Sequence, residues 1–206
     1  MSRSLSLATA VLCAALVLLG GAHAALGQSA DPSDPSAPGN PGTLGVQLKG
    51  STIIRLEKNL FQAITEAGGK VRAGKPAKAT KTGVKFKVVS LGAGLDGGYV
   101  LKHKGEMRIS TRKRSLVIKS PAASIDITSG QGTLTATVGK RRYIAARLQV
   151  DLGGLEETGS GINAENIVLT MTEKLALDIN KTLGTASFLE GSSFGKADVK
   201  VITEEE

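Results

Sequence analysis

His103 is the residue around which chemistry could be built, because the chain's 206 residues hold only two histidines and one cysteine. The segment Tyr99-Val-Leu-Lys-His103-Lys-Gly105-Glu-Met107 reads as a strand, so Tyr99, Leu101 and His103 share one face, two residues apart. A histidine and a tyrosine on one apolar face can be core residues with satisfied polar tips. They can also line a pocket that handles a metal or an anion. Lys102, Lys104 and Arg108 lie beside them and would attract an anionic ligand. Tyr143, the second tyrosine, is the other phenol that could reach such a pocket. The candidate ligand-binding set is therefore His103, Tyr99, Tyr143, Lys102, Lys104 and Arg108, with no catalytic residue and no metal ligand assigned.

Few mechanisms can be assembled from the rest. Asp151, Glu156 and Glu157 flank a Gly-rich loop with no base, nucleophile or metal set beside them, and read as solvated charges. Gly92 to Gly98 matches part of a phosphate-loop pattern but lacks the Lys-Ser/Thr sequel, which leaves a glycine-rich hairpin. These absences argue against an enzyme.

The N-terminus predicts the compartment. Arg3 precedes an apolar run from Leu5 to Leu19, too short to span a bilayer comfortably, and Ala22-His23-Ala24 supplies a small-x-small cleavage signal. Residues 1–24 read as a secretory signal peptide. Its removal would take Cys13 and His23 with it and leave no transmembrane segment. The mature chain is then secreted or at the cell surface, with His103 its one histidine and no thiol for redox chemistry. Residues 25–45, rich in Pro, Gly and Ser, read as a disordered spacer. A single folded domain is expected over 46–203, with an acidic tail at 204–206.

Within that domain, positions 51–69 carry a helix-period pattern through Leu56, Leu60, Ala63, Ile64 and Ala67, stopped by Gly68-Gly69. From Val71 to Leu152 the period switches to two, with Gly and charge between short runs, as in antiparallel hairpins. A strand over 166–170 leads into a helix over 172–183, and a last strand covers 197–202. A shift of 115 residues superposes Ile54, Leu56, Leu60 and Ile64 on Leu169, Met171, Leu175 and Ile179, which suggests a strand-helix pseudo-repeat. The expected fold class is mainly β, an antiparallel two-sheet sandwich with two short helices.

Charge is concentrated. The chain holds 26 Lys and Arg against 18 Asp and Glu, and residues 70–119 alone hold 14 bases against two acids, Asp96 and Glu106. Such a patch attracts polyanions such as anionic wall polymer, lipid headgroups or porphyrin propionates. Nucleic acid is not expected, because only Phe86 and Tyr99 stand among these cations to stack bases. Basic faces that guard strand edges and maintain solubility are the alternative.

The ordered set His103-Lys-Gly105-Glu-Met107, Ser120-Pro121-Ala-Ala-Ser-Ile125 and Gly132-Thr133-Leu134-Thr-Ala136-Thr-Val138 resembles the exported HtaA-type haem-transport domains over about residues 52–203. Those domains carry His-x-Gly-x-Leu, a Pro-initiated strand and Gly-Thr-Leu-x-Ala-x-Val in that order. The resemblance implies an exported, non-catalytic surface binding module with haem as the cofactor or ligand. It also implies that the strand histidine, here His103, supports an iron-bound tyrosine by hydrogen bonding. That tyrosine lies in a segment whose counterpart here is Ile54-Arg-Leu-Glu-Lys-Asn-Leu60-Phe-Gln-Ala63, which puts Ala63 at the tyrosine position. The implied module is therefore divergent, with haem binding weakened or lost. The alternative is a structural or adhesion module of the cell envelope that binds anionic wall polymer through basic hairpins.

Overall fold

The computed structural model describes residues 47–94, 98–158 and 161–204. The predicted signal peptide, the whole of the spacer and the last two residues of the tail lie outside them. The elements in order are β1 (Gln47–Leu56), α1 (Lys58–Glu66), β2 (Lys70–Gly74), β3 (Lys78–Ala79), β4 (Gly83–Ala93), β5 (Tyr99–Lys104), β6 (Glu106–Ser110), β7 (Ser115–Ile125), β8 (Gln131–Val138), β9 (Arg141–Gln149), β10 (Leu155–Thr158), β11 (Gly161–Met171), α2 (Glu173–Leu183) and β12 (Ser193–Glu204).

Period-two alternation produces these strands as expected. In β4, Val84, Phe86 and Val88 are buried while Lys85 and Lys87 are exposed, the pattern of a sheet with one wet and one dry face. The alternation does not say how the sheet ends. Its pairings run β7–β5–β4–β1–β12–β11–β9–β8, and β8 pairs back to β7, so eight antiparallel strands close into a barrel. The two-sheet sandwich is thereby corrected.

Closure needs curvature, and bulges supply it. Register shifts fall at Val88/Ser90, Lys119/Ala122, Leu134/Thr135 and Ala164/Ile167, the second and fourth marked by positive φ at Ser120 and Asn166. The bulge at Ser120 lets one edge of β7 pair with β6 over Ser115–Lys119 and with β5 over Ala122–Ile125. Gly105 links β5 to β6 at φ 120°, and a Cβ there would stand 2.6 Å from that of Ala77. That backbone conformation and that approach both require glycine.

The helix expected from residue 51 begins later, because Thr52-Ile-Ile54 belongs to β1 and the helix-period residues before Lys58 are strand. The pseudo-repeat survives this shift. β1 ends at Leu56 and α1 starts at Lys58; β11 ends at Met171 and α2 starts at Glu173, each 115 residues on. The two strands flank β12 and run the same way, so both helices stand at one end of the barrel. Leu60 and Ile64 of α1 and Leu175 and Ile179 of α2 are buried at four-residue spacing, as an amphipathic helix demands. Thr172 caps α2 at its start, and Gly184 at φ 74° ends it.

Candidate functional site

Inward residues from all eight ring strands meet in one core, and His103 stands in it, 5% exposed. Its neighbours come from β1, β4 and β7. The Thr52 hydroxyl donates to Nε2 at 2.7 Å, and Nδ1–H donates to the Pro121 carbonyl at 2.9 Å. A carbonyl can only accept, so the proton sits on Nδ1 and Nε2 accepts. Phe86 meets the imidazole edge to face, with centroids 6.4 Å apart. Burial pushes the His103 pKa below its usual value, opposed by the bond to Pro121. This is a neutral imidazole with both nitrogens engaged.

The space beside it is small. A void of about 20 Å³ is lined by Thr52, His103, Phe86, Leu101, Leu134 and other apolar side chains. That is room for about one water molecule. A second void of about 10 Å³ lies toward α2, where Leu175 and Phe194 close the interior.

The other sequence-predicted residues scatter around this centre. Tyr99 is half-buried against the core at the start of β5 and pairs with Ile125, the last residue of β7. Tyr143 is half-buried near the start of β9, at the helical end, opposite Ala136. The two phenols therefore stand at opposite ends of the barrel, and neither lines the void at His103. The Tyr143 hydroxyl donates to Asp178 of α2 at 2.6 Å, and the Lys174 ammonium lies 4.9 Å from its ring centroid. Burial, and then the Asp178 carboxylate, push its pKa well above the usual phenol value. Lys102, Lys104 and Arg108 are exposed and point away from His103. Arg108 and Lys119 share Glu106, at 3.0 and 3.5 Å.

Sequence reading did not find Thr52, which lies 51 residues from His103 in the chain, or the edge contact of Phe86. The inward alternation of Thr52, Ile54 and Leu56 was the available signal. Lys102, Lys104, Arg108 and Lys119 are on strands β5, β6 and β7, and Arg112, Lys113 and Arg114 occupy the β6–β7 turn. Lys196 and Lys200, from a stretch of near-neutral sequence, join the cations of β4 and β5 on the outside of the barrel. Among the described residues, no group of three or more His, Cys, Asp or Glu stands together as potential metal ligands, and no helix is long and apolar enough to cross a membrane.

No protein-family model matches the chain, and no curated protein matches it by sequence. Solved structures do match. The C-terminal domain of HtaA from Corynebacterium glutamicum superposes with a TM-score of 0.60 at 10% identity, over 77% of this chain and 100% of that one. The fold is that of the HtaA domains. The N-terminal domain of HtaA gives a TM-score of 0.56 at 9% identity, over 77% of this chain and 98% of that one. The heme-binding protein HtaB of the same organism gives 0.51 at 10% identity, over 77% and 96%. The ordered motifs around His103, Pro121 and Gly132-Thr-Leu134 lie on β5, β7 and β8.

Proposed function

We propose that the chain is an exported, non-catalytic binding module built on the HtaA fold, whose interior has lost the means to hold haem. The observation that carries this is the saturated His103. A histidine that supported an iron-bound phenolate would direct Nε2 to a tyrosine, whereas here Nε2 accepts from Thr52. At the tyrosine position implied by the motifs stands Ala63, on α1 and partly buried against the core. Tyr143 does not take that place beside His103: it stands near the start of β9, bonded to Asp178, and does not line the void at the imidazole. Pockets for ligands of drug size measure about 300–1,000 Å³, against a void of about 20 Å³ here. The residues present do not fit haem held in the barrel.

Catalysis finds little support either. The His103 imidazole and the Thr52 hydroxyl that donates to it are both buried beside a void with room for about one water molecule, which gives a substrate no access to the pair. Export rests on the signal-peptide pattern of residues 1–24 and the spacer after it.

A hemin titration followed at the Soret band tests the reading. The parent and the His103→Ala variant are both expected to leave the free-hemin spectrum unshifted. A saturable shift in the parent that His103→Ala abolishes would overturn it.

A further inference from the structure

The outer wall made by β12, β1, β4 and β5 carries a charge that no single stretch of sequence contains. Lys200 stands opposite Ser51, Ser51 opposite Lys87, and Lys87 opposite Lys104, so one row of outward side chains crosses four neighbouring strands with three lysines in it. Lys85 occupies the next row and faces Lys78 of β3 directly. Lys102 and Lys196 are exposed on the two outer strands of the wall. Among the described residues, Lys85, Lys87, Lys102, Lys104, Lys196 and Lys200 form no ion pair. β1, β4 and β5 contain no acid, and Asp198 is the one acid of β12 before Glu204. Both Asp198 oxygens are taken by Arg55.

Two explanations that need no partner fail. Lysines often guard exposed sheet edges, but each of these four strands has a neighbour on both sides in a closed ring. Solubility is served by dispersed charge of both signs. Here the Lys87–Lys104 and Lys85–Lys78 pairs set like charges directly opposite on paired strands, which destabilises a sheet. Repulsion retained in this way is relieved when anions lie on the surface.

We propose that this wall binds a linear polyanion laid around the barrel, the ligand of the binding module inferred above, on which this proposal rests. The wall takes four of the eight ring strands and so turns through about half the circumference. A flat anionic bilayer meets such a convex surface along a narrow line and cannot reach Lys200 and Lys104 together. A flexible chain can follow the row, whose three inter-strand steps span about 14 Å. Phe86 is buried in the interior and Tyr99 packs on the core, so neither ring of this region opens onto the wall to stack a base. Recognition is by charge density alone, which suits lysine, a hydrated point charge, better than the planar fork of arginine. The shared chemistry is a close line of anions, phosphate or carboxylate, without bases.

Fluorescence anisotropy on the full chain, as the producing host processes it, tests this with labelled long-chain inorganic polyphosphate and, in a parallel arm, labelled polyglutamate. Binding of polyphosphate alone assigns a phosphate polymer; binding of both assigns charge density of either kind. In each supporting case log K falls linearly with log salt, and Lys87→Gln/Lys104→Gln/Lys200→Gln lowers that slope by about 2, at roughly 0.7 per cation removed. Affinity at low salt falls by more than about tenfold in this variant. Arg112→Gln/Lys113→Gln/Lys140→Gln, which removes the same charge from the turns, keeps the parent's affinity. The wall variant melts at or above the parent temperature, so unfolding does not explain its loss. The proposal is overturned if the parent binds neither polymer, if the turn variant loses as much as the wall variant, or if anionic vesicles or base-dependent oligonucleotides bind more tightly. Hemin absorption on the same samples separates the two readings. A saturable Soret shift in the parent that His103→Ala abolishes overturns the haem-free module alone, and absent polymer binding overturns the wall alone.

Discussion

Along β4 and β5, Lys85, Lys87, Lys102 and Lys104 alternate with Phe86, Val88, Leu101 and His103, so the lysine wall and the barrel interior differ only in the side of the pleat. Inside, every buried polar side-chain atom among the described residues has a partner, and His103 has two. On the outer wall, six lysines form no ion pair among the described residues, and two cross-strand pairs repel. Satisfied polar groups in a filled core specify a structure and leave nothing for a ligand. Unsatisfied charge on a rigid wall does the reverse. On the proposal made above, the capacity to bind in this HtaA-fold barrel lies on the outer surface.

Substitutions can break that contrast, and the interior should respond most. Phe86, 1% exposed and in edge contact with His103, is expected to lose about 3–5 kcal/mol of stability as Phe86→Ala in chemical denaturation, from lost transfer energy and the cavity left behind. A loss near zero would mean the interior is not the closed core described. Thr52→Val is smaller: it keeps the shape and removes the donor to Nε2, leaving a buried acceptor unpaired at a cost of about 1–3 kcal/mol.

The imidazole also gives the interior a pH signature. The His103 pKa is depressed in the folded chain, chiefly by burial, so between that value and the unfolded pKa near 6.5 the unfolded state binds more protons. Stability from this group is then fully present above about pH 6.5 and falls as pH drops toward the folded pKa, by at most about 1.4 kcal/mol per pH unit for one proton. Urea melts at stepped pH should show this slope in the parent and a flatter one in Thr52→Val/His103→Leu. An equal slope in both would place the titration elsewhere. The smallest effect belongs to the wall, where Lys87→Gln should leave the melting temperature unchanged or slightly raised; a clear drop would mean that Lys87 is a structural residue.

How much of this was legible depends on distance along the chain. The run Val84-Lys-Phe-Lys-Val88 announces a strand with one wet face, and Leu175 and Ile179 announce a helix. Closure was not legible, because alternation fixes which side chains point inward and says nothing of whether β8 meets β7. The bulge at Ser120 decides it, and no local signal there distinguishes a barrel from a sandwich. Thr52-Ile-Ile54 was absorbed into a helix because Leu56, Leu60 and Ile64 continue a helical period, although β-branched residues favour strand. His103 was legible as a candidate, but its partners Thr52 and Pro121 arrive from β1 and β7. The charge excess of residues 70–119 could be counted; its extension to Lys196 and Lys200 depends on pairing across the barrel.

Lysine footprinting tests most directly whether binding has moved to the outer wall. Acetylation rates at individual lysines are read by mass spectrometry with and without long-chain polyphosphate. Protection is expected at Lys85, Lys87, Lys102, Lys104, Lys196 and Lys200, with Lys58, Lys113 and Lys140 labelling as fast as before. Uniform protection, or protection confined to Lys113 and Lys140 in the turns, would contradict the account.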